Sequence, residues 1–164
     1  MVLASHVITR RNVEAMKIKM KKLTETAVMP TRGSEYAAGY DLYADPESIG
    51  GEYIFISPHT TEKIGTGLSA EIPEGYFGAV FARSGIAAKR GLRPANAVGV
   101  IDSDYRGEII VALHNDTDIM NKVYPGERIA QLVILPYQDV EYEEVDSLTA
   151  TDRGAGGFGS TGSS

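Results

Sequence analysis

Arg83-Ser84-Gly85 stands at the start of a run that reads as a short helix. A guanidinium beside the free N–H groups of a helix start suits a phosphate. The plainer alternative makes Ser84 an N-cap and Arg83 a surface charge. Asp102 follows the apolar stretch Val98-Gly99-Val100-Ile101, where a carboxylate could take a proton from water as a general base. Asp at the end of a strand is also ordinary turn chemistry, and Asp104 reads as a turn residue. Asp41 lies in the tyrosine-rich run Gly39-Tyr40-Asp41-Leu42-Tyr43-Ala44, and Gln131 in Gly126-Glu127-Arg128-Ile129-Ala130-Gln131-Leu132, after a Pro-Gly turn. Both runs also read as plain strand starts. Taken singly, each segment has a structural explanation as good as its chemical one.

The elements that must position these residues are short strands. Pro and Gly punctuate nearly the whole chain, and between them lie runs such as Tyr53–Ile56, Tyr76–Phe81, Ile109–Leu113 and Ile129–Leu135. Many short strands with regular turn signals predict an all-β barrel or sandwich. Met16-Lys17-Ile18-Lys19-Met20-Lys21 alternates apolar and basic residues, as a half-solvated edge strand does. Asn96 to Glu108 reads as a hairpin leading into a second strand from Ile109. The one helical signal is Ser84 to Gly91, about two turns, with a capping Ser, a basic last turn and a terminating Gly. From Arg153 the chain is glycine-rich with a lone Arg and a lone Phe, a composition that cannot order itself alone and suggests a segment that folds onto a partner.

Composition sets the outer limits. The chain has 164 residues, 43% hydrophobic and 23% charged, the size and balance of a single globular domain. A net charge of −6 argues against non-specific nucleic-acid binding. With no cysteine, disulfides, thiolate nucleophiles and zinc-thiolate sites are excluded. His6, His59 and His114 show no metal-ligand spacing. No apolar run is long enough to span a membrane, and the first residues lack the apolar stretch of a secretory signal, so a cytoplasmic protein is expected. Residues 1–15 are expected to be a mobile extension, 16–146 a β-domain, and 147–164 a flexible arm.

Together and in this order, five segments resemble the five motifs of the trimeric dUTPase family. They are Ala38–Ala44, Arg83–Ala87, Gly99–Gly107 with Asn96 upstream, Gly126–Gln131 and Arg153–Gly162. Five ordered motifs over residues 16–162 make a specific signal where each alone does not. Ala82 stands where Pro often precedes Arg-Ser-Gly, and Glu127 where Asp is common; neither touches a chemical role.

The resemblance implies a jelly-roll-like distorted β-barrel with one short helix, assembled as a homotrimer. Each site would draw on all three subunits, with the C-terminal arm closing a neighbour's site. It implies Mg²⁺-assisted hydrolysis of dUTP to dUMP and pyrophosphate, with no nucleic-acid or membrane partner. Asp102 looks like the general base, with Arg83 and Ser84 beside it in the catalytic set. Asn96, Gly99, Val100, Ile101 and Ile110 would hold uracil, and Tyr105 would pack on deoxyribose and leave no room for a 2′-hydroxyl. Gly85 and Gln131 would help hold the phosphates. Arg153, Phe158, Gly159 and Ser160 would come from the arm, Phe158 stacking on the base. Asp41 would meet Mg²⁺ only through water. Two rivals remain open: dCTP deaminase, which shares the fold, and a β-trimer that only binds or regulates.

Overall fold

Closely spaced turn residues leave room only for short strands, and short strands are what form. The computed structural model describes residues 15–157. Its strands are β1 Lys19–Lys22, β2 Thr31–Arg32, β3 Tyr40–Tyr43, β4 Ile54–Ile56, β5 Thr61–Gly65, β6 Leu68–Glu71 and β7 Tyr76–Phe81. After α2 come β8 Leu92–Pro94, β9 Gly99–Ile101, β10 Ile110–Asn115, β11 Asn121–Val123 and β12 Arg128–Pro136. The helices are α1 Pro46–Ile49 and α2 Ser84–Arg90. Among the described residues the strands make four sheets: β1-β6, β5-β10-β8, β11-β4 and β2-β3-β12-β7-β9. The all-β class holds, with the strands not closed into a barrel.

Alternation along the strands builds the core. Leu42, Ile56, Ile64, Leu92, Ile109, Val111, Leu113 and Ile129 are essentially inaccessible and belong to one cluster. Each such side chain contributes about 1.5–3 kcal/mol by leaving water. β1 pairs only with β6 among the described residues, and Lys19 Nζ donates to Glu71 Oε1 at 2.8 Å across that ladder. No helix among the described residues is long and apolar enough to cross a membrane.

The helices depart from expectation in two ways. Among the described residues there are two of them, because Asp45-Pro46 starts a single turn at α1 with Pro at its first position. Asp45 does not cap that turn with its side chain, since its carboxylate accepts from Thr24 at 3.1 Å and Thr26 at 2.7 Å. In α2 the N-cap is Arg83, not Ser84, and Ser84 is the first helical residue. Gly91 ends α2 in the left-handed conformation (φ 61°), where its N–H reaches back to Ala87 and Ile86 carbonyls.

Candidate active site

Three of the expected site residues converge on one end of the large sheet. Asp41 in β3 is 8% exposed, and its carboxylate binds two guanidinium groups. Arg83 Nε donates to Oδ1 at 2.6 Å and an Arg128 nitrogen to Oδ2 at 3.2 Å. Gln131 stands opposite Asp41 in the β3–β12 ladder, and its amide donates to the Ala82 carbonyl at 2.9 Å. Gly39 makes room for it, since a Cβ there would overlap the Gln131 side chain.

A local irregularity in β12 makes this gathering possible. In a regular strand, residues three apart point to opposite faces. Between Arg128 and Ala130 the register shifts by a β-bulge, so that Arg128 pairs with Tyr43, Ala130 with Leu42 and Gln131 with Asp41. Tyr43 and Asp41 share a face, and so therefore do Arg128 and Gln131. Ile129, the extra residue, is fully buried. Ser84 and Gly85 lie exposed at the start of α2, and a Cβ on Gly85 would meet nothing within 4 Å.

A second group lies between β9 and β10. Val100, Ile101, Asp102, Tyr105, Glu108 and Ile110 line a cavity of about 190 Å³. The expected hairpin is not formed: β9 pairs with β7, whereas β10 pairs with β5 and β8. Two features separate the strands. Gly78, with no side chain, gives Ile101 a place on β7; its added Cβ would stand 3.2 Å from that of Ile101. The intervening loop is instead tied to β6 and the turn before it, Ser69 Oγ donating to the Arg106 carbonyl at 2.7 Å and the Gly67 N–H to Glu108 Oε1 at 2.8 Å.

Within that loop Tyr105 donates its hydroxyl hydrogen to the Glu108 carbonyl at 3.0 Å, and Gly107 leaves the space its ring crosses. The Asp102 carboxylate is exposed and has no hydrogen-bond partner among the described residues. Asn96 sits before Ala97, which takes a left-handed conformation (φ 61°). The Asn96 amide nitrogen lies 3.6 Å from where a Cβ would stand on Gly99.

One chain does not bring the two groups together. Ile101 registers with Gly78 and Gly99 with Val80, so Asp102 falls level with Phe77 near one end of β7, whereas Arg83 lies past the other. Five or six residues at about 3.3 Å each put them roughly 15–20 Å apart. Arg153 is exposed, with Nε donating to the Gly156 carbonyl at 2.8 Å in its own turn. Phe158, Gly159 and Ser160 lie outside the described residues. Arg128 and Glu108 were missed as individual residues; Arg128 stood inside the fourth quoted motif, and only its contact with Asp41 marks it.

A sequence model of the dUTPase family matches residues 25–162. The chain belongs to the dUTPase family. A deoxyuridine 5′-triphosphate nucleotidohydrolase of Nautilia profundicola is 48% identical over 147 residues, covering 90% of this chain and 99% of the relative. One from Oryza sativa subsp. japonica is 46% identical over 145 residues, covering 88% and 80%. Among solved members of the family, the Staphylococcus bacteriophage 80alpha dUTPase with dUPNHPP matches at a TM-score of 0.79 and 29% identity, over 91% of this chain and 100% of that one. The dUTPase from phage phi11 of S. aureus matches at 0.71 and 26%, over 83% and 100%.

Proposed function

We propose that the chain hydrolyses dUTP to dUMP and pyrophosphate at sites shared between subunits of a homotrimer. The observation that carries this reading is the separation of two complementary groups along β7. An arginine–carboxylate cluster suited to phosphates lies at one end, and a cavity bearing an unpaired Asp102 at the other. Neither is a complete site; the phosphate end of one subunit set against the cavity of another would be.

In that arrangement Arg83, Ser84, Gly85 and Gln131 hold the phosphate chain. Two guanidinium groups against the single Asp41 carboxylate leave positive charge for it. Asn96, Gly99, Val100, Ile101 and Ile110 hold uracil, whose wrong-base analogues would leave polar groups unpaired. Tyr105 excludes a 2′-hydroxyl. Asp102 takes a proton from the water that attacks the α-phosphorus in line, and the bond to the bridging oxygen breaks to release pyrophosphate. Arg153, Phe158, Gly159 and Ser160, from a third subunit, close over the nucleotide. Rate acceleration comes from positioning and charge, with no covalent enzyme intermediate.

A divalent ion fits this site as part of the substrate complex. Among the described residues no three His, Asp or Glu side chains gather as a cage, so phosphate oxygens and water would supply most of its ligands. Mg²⁺ bound there neutralises phosphate charge. Asp41, which keeps lone pairs beyond those its arginines use, would reach it through water. In the cytoplasm such an activity limits uracil incorporation into DNA and supplies dUMP for dTMP synthesis.

The test is pyrophosphate release from dUTP, dCTP, dTTP and UTP in parallel, with Mg²⁺ and with chelator. Release from dUTP alone, abolished by chelator, supports the reading. Ammonia from dCTP would move the chain to the deaminase chemistry, and silence on all four would favour a binding module.

A further inference from the structure

Arg90, the last residue of α2, spreads its guanidinium over three groups. Nε donates to Asn121 Oδ1 at 3.3 Å, one terminal nitrogen to Glu127 Oε1, and the other to the Lys122 carbonyl. Asn121 answers by donating its amide to the Arg90 carbonyl at 3.2 Å. The Arg90 and Glu127 side chains are 30% and 23% exposed, so solvent and salt screen this pair less than the open surface pairs.

Glu127 carries the linkage further. Its second carboxylate oxygen accepts from the Tyr124 N–H at 3.0 Å, closing the Pro125-Gly126 turn, and its carbonyl accepts from the Ala44 N–H at 2.8 Å. Through this one residue, the C-terminus of α2, the β11–β12 turn and the end of β3 become a single unit. Each of those pieces bears one member of the phosphate-facing cluster: Arg83 caps α2, Arg128 follows Glu127, and Asp41 lies in β3.

We propose that Arg90 and Glu127 are positioning residues for the triphosphate, fixing the backbones that present Arg83 and Arg128 on either side of Asp41. The proposal rests on the reading of that cluster as the phosphate site. Two like charges at one carboxylate repel each other, and long side chains lose rotamer freedom when ordered. Asp41 alone therefore cannot set their spacing; rigid anchorage behind them can. Loss of either partner of the Arg90–Glu127 pair loosens the turn, to the cost of phosphate-rich ligands. Neither residue touches the nucleoside.

The experiment compares wild type, Arg90→Gln and the near-isosteric Glu127→Gln as full-length proteins. KM and kcat are read from pyrophosphate release with dUTP, and Kd is measured for dUMP and for the non-hydrolysable dUpNHpp. Each variant is expected to raise the dUTP KM and the dUpNHpp Kd about tenfold while leaving the dUMP Kd within about twofold. Arg90→Lys, which keeps charge without the fork, is expected to recover part of the loss. Equal weakening of dUMP and dUpNHpp would mean a merely structural role and would overturn the proposal. Unchanged dUpNHpp binding in a folded variant would overturn it too. If Arg90→Gln does not fold, Glu127→Gln carries the same expectation alone. A wild-type protein that fails to bind dUpNHpp would instead overturn the triphosphate reading itself, and the proposal with it.

Discussion

Ile101 faces Gly78 across the β7–β9 ladder, which places the next residue, Asp102, level with Phe77, toward the end of β7 away from Arg83. Two inactive variants should therefore rescue each other. In the proposed trimer, Asp102→Asn and Arg83→Ala, each inactive alone, would share assemblies when refolded together. About a quarter of the sites then pair an intact Arg83 with an intact Asp102 from the neighbour. Pyrophosphate release is expected to rise to roughly that fraction of wild type. No recovery in demonstrably mixed trimers would place both residues in a site made by one chain.

Asp102→Asn keeps shape and removes the proton acceptor. Its side chain has no partner to lose among the described residues, so stability should hold. The expected result is a fall in kcat of about 10²–10⁴-fold, with dUpNHpp affinity largely kept. Affinity lost in step with kcat would show that Asp102 binds rather than activates.

Tyr105 depends on Gly107. An alanine methyl at 107 would overlap the tyrosine hydroxyl, forcing the ring aside and breaking its bond to the Glu108 carbonyl. That bond is worth about 0.5–1.5 kcal/mol. Gly107→Ala is expected to lower kcat/KM for dUTP and raise the UTP-to-dUTP ratio. An unchanged ratio would show that the ring does not guard the 2′ position.

Acid should weaken the tie between β1 and β6. The hydrogen bond and charge of Lys19 hold the Glu71 carboxyl below the usual glutamate range. A carboxyl whose pKa is lower folded than unfolded stabilises the fold above its unfolded pKa, and that contribution fades as pH falls through the folded one. Lys19→Met should therefore melt below wild type at neutral pH, with the gap closing as pH drops through and below the ordinary glutamate range. Thermal melts across that range check it; a gap of constant size would leave the pair without a titrating role.

Local signals were legible where local physics decides. Gly91 was expected to end α2 and does so in a left-handed conformation, and Tyr76–Phe81 is a strand with the expected bounds. Strand partners were not legible. Asn96 to Glu108 reads as a hairpin from spacing alone, but a residue without a side chain on β7 and hydrogen bonds from Gly67 and Ser69 send its two strands to different sheets. Ser84 looked like a cap because capping serines are common; Arg83 takes that position while its side chain serves Asp41. Asp41, Arg83 and Gln131 were named from ordered motifs, whereas Arg128 and Arg90 differ from any surface arginine only in their tertiary partners. Phe158, Gly159 and Ser160 fall outside the described residues and stay expectations.

The bulge at Arg128–Ala130 gives β12 an odd kind of fragility. Exchanging Ile129 for another apolar residue alters packing by degrees, as in any core. Straightening the bulge with its residues kept would act as a phase error: every residue upstream would turn over relative to the sheet, and the Arg128 cation would leave the face that carries Asp41. The bulge is a binary setting rather than a quantity. A lineage can exchange one apolar side chain for another there, yet cannot lose the bulge itself.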